Sequence, residues 1–490
     1  MTAGETMAVA LALPLAGALL TPLFARKPNL RETFTLTVAS GLFVVVASLV
    51  AGVMSGGRPG FEIVEMLPGL ALAFQLEPLG MLFALVASGL WIVTSVYSIG
   101  YMRGHEEQNQ TRFYAFFAVA IFGALGVAFA RNMFTLFVFY EVLTLSTYPL
   151  VTHHRSEQAR RGGRVYLGVL LTTSIGLLLL AILWTWNIAG TLEFTPGGIL
   201  AGKATDRELG LLLALFAFGT GKAALMPFHR WLPAAMVAPT PVSALLHAVA
   251  VVKAGVFTVM KICTYLFGAD LLRQTGASVW LMYAAGVTLI LGSLVALTKD
   301  NLKARLAYST ISQLAYIVLG AALANAWGFL GGSMHIAMHA FGKITLFFCA
   351  GAFYVAAHKT EISDMRGIGR TMPVTTFAFL VASISVIGLP PCGGAWSKWF
   401  LALGTADAGQ RALLAALMVS SLLNIAYLLP IPIRGFFSRP AEAGDGPVRI
   451  REAPLFCVVA LCFTALGSVA LFFFADRIFA LLAPVVGSGG

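Results

Sequence analysis

The sequence predicts an all-α polytopic membrane protein of about fourteen transmembrane helices. Three observations predict it. Of the 490 residues, 59% are hydrophobic and only 11% charged, about half the charged share of an ordinary soluble domain. The apolar residues gather in runs of about 20, the length that crosses a bilayer. The connecting segments hold most of the charge and divide it unevenly between two sides.

The spans fall near 7–25, 34–54, 79–101, 113–130, 132–151, 165–187, 209–228, 241–267, 278–298, 303–322, 326–355, 373–400, 411–434 and 454–483. The first, apolar from Met7 to Phe24, has no basic segment before it and no small-residue cleavage pattern, so it is expected to be a retained span. Spans four and five meet at Ala130-Arg131-Asn132, a very tight turn. The longest connections run to about 20 residues, which leaves no room for a soluble domain. No stretch resembles a nucleotide loop, a redox-cofactor motif or a catalytic triad, and no cofactor is expected. Cys263, Cys349, Cys392, Cys457 and Cys462 form no CxxC pair and suit buried apolar sites better than a disulfide or a metal.

Charge orients the chain. Alternate connections starting at Arg26 and Lys27, and including Arg439, hold 20 of the 32 Lys and Arg residues. The opposite set, including Arg131 and Lys261, holds 8. The richer side is expected to be cytoplasmic, with both termini outside a cell (inner) membrane. The net charge of +11 is then a topology signal and not a nucleic-acid surface. The four remaining cations, Lys222, Lys253, Lys343 and Lys398, fall inside spans, as does Glu141. His229, His247, His335 and His339 lie in spans or at their edges.

The stretch from Gly219 to Gly255, GTGKAALMPFHRWLPAAMVAPTPVSALLHAVAVVKAG, carries Lys222, His247 and Lys253 around a break at Pro227, Pro233, Pro239 and Pro241. A lysine at mid-membrane costs from a few to more than ~10 kcal/mol, which makes an ion path the leading expectation. Burial favours the neutral forms of Glu141 and Lys222, whereas a close pair favours the charged ones, so the two are expected to switch together. His335, His339 and Lys343 recur at i, i+4 and i+8, on one helical face suited to relaying protons. HxxxH also suits a metal, but no acidic third ligand or catalytic Glu accompanies it, so no metal is expected. SVIGLPPCGGAWSKWF places Pro390, Pro391, Gly393 and Gly394 just before Lys398. Broken helices beside buried charge in each half point to the inverted repeats of a transporter.

These residues together resemble the antiporter-like membrane subunits shared by respiratory complex I, membrane-bound hydrogenases and Mrp-type sodium/proton antiporters. FVFYEVLTLSTYPLV, the Gly219–Gly255 stretch, DNLKARLAYSTISQLAYIVLG and GLPPCGGAWSKWF carry the resemblance over roughly 110–435. It implies two inverted five-helix repeats at 111–270 and 271–435, preceded by three helices in 1–110 and followed by one in 436–490. It also implies that Glu141 and Lys222 form the first pair, that Lys253 links and that Lys398 terminates a proton relay, with His229, His247, His335, His339 and Lys343 alongside. Lysine at 398, and a chain that stops soon after the last span, point to the D-type subunit of an Mrp-like antiporter. The function implied is proton translocation within a multisubunit membrane complex, with sodium as a candidate second ion. The rival expectations are a pumping subunit of a complex I-like or hydrogenase assembly without its own redox site, a membrane subunit for inorganic-carbon uptake, a non-conducting scaffold and a stand-alone carrier.

Overall fold

The computed structural model describes residues 1–438 and 449–487; Arg439, counted above on the basic side, lies outside them. Among the described residues, eleven helices are long and apolar enough to cross a membrane. Three further helical segments fall between them: Asp206–Gly219 with its broken continuation, Leu302–Ala322, and Pro373–Ile387 followed by Gly394–Asp407. Together they reproduce the expected fourteen in chain order.

Local chemistry explains where these helices start. Asn132 caps Met133–Val151 by accepting from the Thr135 amide at 2.8 Å, and Asn301 and Asn325 cap Leu302–Ala322 and Ala326–Ala357 in the same way. Thr205 and Glu208 close a reciprocal capping box on Asp206–Gly219. Thr240–Phe267 lies almost wholly inside the molecule, and the 32-residue helix Ala326–Ala357 crosses beside it. Pro28–Met54, Arg411–Phe437 and Leu455–Phe473 form the rim and leave Val44, Leu422 and Leu466 exposed. A rim this apolar suits lipid or another membrane protein, not water.

One element departs from the all-helical expectation. Residues Gly60–Leu67 (β1) and Leu70–Gln75 (β2) form an antiparallel hairpin through Pro68-Gly69, pairing Gly60 with Gln75 and Leu67 with Leu70. The Pro-Gly turn between two apolar runs is the sequence signal of this hairpin. The hairpin braces the tight turn between two helices: Asn132 Nδ2 donates to Ala71 O at 2.9 Å, and Phe74 bridges Ala130.

Candidate functional site

Both broken helices are where the prolines predicted them. Asp206–Gly219 stops short, and 220–230 holds only a tight turn, Gly221–Ala223, and a further run of turns over 226–230 before Trp231. Pro227 lies in this stretch, and Ala224 takes a left-handed conformation (φ 53°) that ends the turn. Lys222 therefore sits in the break itself, not on a helix. Trp231 Nε1 donates to Gly221 O at 2.9 Å and holds the loop in place.

The fully buried Lys222 ammonium donates to Tyr140 O at 2.8 Å and Thr144 Oγ1 at 2.5 Å, and stands 3.1 Å from the Tyr140 ring centroid. This corrects the expected direct pair with Glu141. No ion pair joins the two among the described residues, although the Glu141 charge is felt at Lys222. Neither Glu141 carboxylate oxygen has a hydrogen-bond partner. The reason is helical geometry: 140 and 144 are one turn apart on the face that meets Lys222, and 141 is rotated about 80° from the middle of that face.

Thr240–Phe267 widens into a π-turn at Leu245–Val249, which carries His247, and resumes at Val251 with Lys253 two residues on. At Gly255 this helix presses on the backbone of Lys222 and Ala223, so closely that a Cβ there has no room. Lys253 Nζ lies 2.6 Å from His339 Nδ1. The His339 ring stacks on His335 with centroids 5.6 Å apart. His335 Nε2 lies 3.1 Å from Gln313 Oε1, and its Nδ1 lies 2.8 Å from Ser397 Oγ, on the helix that follows the second break. The neighbouring Lys398 donates to Ile387 O at 3.0 Å, Ser421 Oγ at 3.3 Å and Tyr316 OH at 3.4 Å. Tyr316 in turn packs 5.5 Å from His335. Gly388 takes a left-handed φ of 92°, and a Cβ there would come within 2.6 Å of the Lys398 stem, so both backbone and space favour glycine.

Lys343 shares the helical face of the two histidines but turns aside, donating to Ser309 Oγ at 2.6 Å and Leu306 O at 3.3 Å. His247 is fully buried against Phe347, with both nitrogens unpartnered, and within electrostatic reach of His339 and Lys343. His229 does not join them; it packs 6.2 Å from the Tyr308 ring. Among the described residues no group of three His, Cys, Asp or Glu side chains is placed to hold a metal ion.

A second buried pair escaped the sequence. Glu77 and Lys261, assigned to connections, meet at 3.1 Å with side chains 10% and 1% exposed. Lys261 also donates to Ala130 O at 2.8 Å and packs 4.2 Å from the Phe194 ring. The signal was present: Lys261 lies at i+8 from Lys253 inside the apolar run 241–267.

Two interrupted helices, with buried lysines and histidines strung between them, define a polytopic ion-transport subunit. The family described as NADH:quinone oxidoreductase/Mrp antiporter, transmembrane, matches residues 130–424, and the complex I chain 5 N-terminus family matches 69–114. NADH-quinone oxidoreductase subunit N of Desulforudis audaxviator is 32% identical over 459 residues, 90% of this chain and 89% of that one. NADH-quinone oxidoreductase subunit L of Mycobacterium tuberculosis is 31% identical, covering 97% of this chain and 76% of its own. A solved chain of the Mrp complex from Dietzia sp. shares the fold with a TM-score of 0.88 at 22% identity, over 100% of this chain and 98% of that one. The chain belongs to this family of antiporter-like membrane subunits.

Proposed function

We propose that protons cross this antiporter-like, proton-translocating subunit along Lys222, Lys253, His339, His335 and Lys398, with Glu141 modulating the first lysine and Lys343 and His247 as a side branch. The observation that carries the reading is the 2.6 Å contact of Lys253 Nζ with His339 Nδ1. It joins a lysine beside the first break to a histidine pair that ends against the second. Two bases this close hold one proton between them far more readily than two, because like charges in a low-dielectric interior repel strongly. Arrival of a second proton on one side therefore favours departure on the other. The path is built of nitrogen bases, whereas hard cations take oxygen ligands. That favours protons over sodium for this route.

Two repeats, 111–270 and 271–435, support the same reading. Each holds five helical segments, an odd number, so the second starts on the opposite face and is inverted relative to the first. The excess of Lys and Arg on alternate connections assigns one face to the cytoplasm and both termini to the outside. The apolar rim and the resemblance to a chain of the Mrp complex favour an Mrp-like, D-type role among other membrane subunits.

The test is His339→Gln, which retains hydrogen-bonding capacity but does not titrate. Flux through the assembled complex should fall at least tenfold. An assembled variant with the wild-type rate would remove the central link.

A further inference from the structure

Four protonatable side chains outside this path meet at one mouth on the basic face. The connection after Pro78–Gly104 carries His105 and Glu107, and the one after Met133–Val151 carries His153 and His154. The Glu107 side chain is only 7% exposed and faces all three rings: His154 Nε2 at 3.0 Å, His153 Nε2 at 3.8 Å and His105 Nε2 at 4.0 Å. His154 is 40% exposed to solvent, whereas His153 is 3% exposed and neither of its ring nitrogens has a hydrogen-bond partner. With Arg155 they line a cavity of about 260 Å³, room for several waters at ~30 Å³ each.

The remaining groups that face the cluster come from the helices around it. Arg112 donates to His153 O at 2.9 Å, and Tyr354 packs 4.9 Å from His105. Tyr101 stands 6.1 Å from the His105 ring and accepts from Thr240 Oγ1 at 3.4 Å, at the start of the helix that carries His247 and Lys253. Lys303 donates to Ala238 O at 2.6 Å. It lies within electrostatic reach of Glu107 on one side and His247 on the other.

Charge in the cluster is ordered as a collector requires. Burial pushes Glu107 up, but the hydrogen bond and positive charge of His154, with the other two rings, outweigh it and hold the carboxyl below its usual range. Burial pushes His153 down to about 4 against the pull of Glu107, so a proton arriving there is quickly released. Supply matters at this point. At pH 7 a site fed by free hydronium at roughly 10¹⁰ M⁻¹s⁻¹, the top of the diffusion-limited range, receives on the order of 10³ protons per second, and tenfold fewer at pH 8, which falls within ordinary turnover.

We propose that His105, Glu107, His153 and His154 form the proton-loading site of the basic face, collecting protons from bulk water and passing them by way of Tyr101 and Lys303 toward His247 and the Lys253–His339 pair. Each step moves one proton: a hydronium or buffer acid protonates His154, Glu107 holds the imidazolium, and a water in the cavity carries the proton on to His153. This rests on the proposed relay, and the experiment separates the two.

Proton flux through the complex, assembled with its partner subunits in vesicles, is measured with a pH-sensitive dye as pH on the basic face is varied. Glu107→Gln and His154→Gln should run near the wild-type rate at about pH 6 and at least about threefold slower at about pH 8, where supply limits. Added imidazole buffer on that face should restore the lost rate, which no structural defect would allow. If Glu107→Gln fails to assemble, the more exposed His154→Gln decides. A profile that tracks wild type, or a uniform loss that imidazole leaves unchanged, overturns the loading site. His339→Gln, at the pair where the loading route joins the relay, is the control. If it is inactive while the loading-site variants track wild type, only this inference falls. If it transports normally, the relay falls too.

Discussion

Replacing Lys222 with arginine separates charge from protonation at the first step of the path. In the wild type the ammonium is held by Tyr140 O at 2.8 Å, Thr144 Oγ1 at 2.5 Å and the Tyr140 ring at 3.1 Å. Hydrogen bonds to a charged donor contribute roughly 1.5–3 kcal/mol each, and a desolvated cation–π contact about 2 kcal/mol. A guanidinium keeps the charge and offers more donors, so most of this attraction survives. Its extra bulk in a packed site costs about 1–3 kcal/mol, which a large helical subunit tolerates. What arginine does not do is release its proton. If Lys222 must become neutral in each cycle, flux should fall at least about a hundredfold, equivalent to about 2.7 kcal/mol on the barrier. The assay is dye-monitored proton flux in vesicles, with assembly checked by size-exclusion chromatography of the detergent-solubilised complex. Thr144→Val should give an intermediate loss, because it removes one of the two hydrogen-bond partners and leaves Tyr140. An assembled Lys222→Arg complex with wild-type flux would show that the lysine is a fixed charge, and the reasoning would fail at its first step.

Three further outcomes follow from the geometry. Gly255→Val should cost about 1–3 kcal/mol in thermal stability and depress flux, because its side chain would be driven into the backbone at Lys222 and Ala223; unchanged flux would show that the break need not be held there. Glu77→Gln strands Lys261 in a buried site and should destabilise by about 3–5 kcal/mol, whereas the double change with Lys261→Met should recover most of that. A double variant no more stable than Glu77→Gln alone would argue against a paired charge. Acidification should weaken the His153 region: the unfolded ring binds a proton near 6.5 and the folded one only at about 4, so stability is complete above 6.5 and falls as pH drops toward 4, by on the order of 3 kcal/mol. His153→Gln should flatten that part of the curve of stability against pH.

The sequence by itself determined the spans, both interruptions and the cations between them. Runs of about 20 apolar residues admit few alternatives, a proline in such a run has no amide to donate, and a lysine there stands out against an apolar background. Spacing also placed His335, His339 and Lys343 on one face, because the helical period is fixed by the backbone. Only the tertiary structure decided which partner each side chain takes. Lys222 meets Tyr140 and Thr144 and not Glu141, Lys343 turns to Ser309 while His339 takes Lys253, and Lys261 withdraws from its expected connection to pair with Glu77. The four residues of the His–Glu107 cluster come from two connections that look like ordinary polar loops in one dimension. The physical reason is common to all of these. A sequence fixes the direction of a side chain around its own helix, but the depth and rotation of the neighbouring helix are set by packing across many contacts, and a hydrogen bond of 2.6 Å depends on both helices at once.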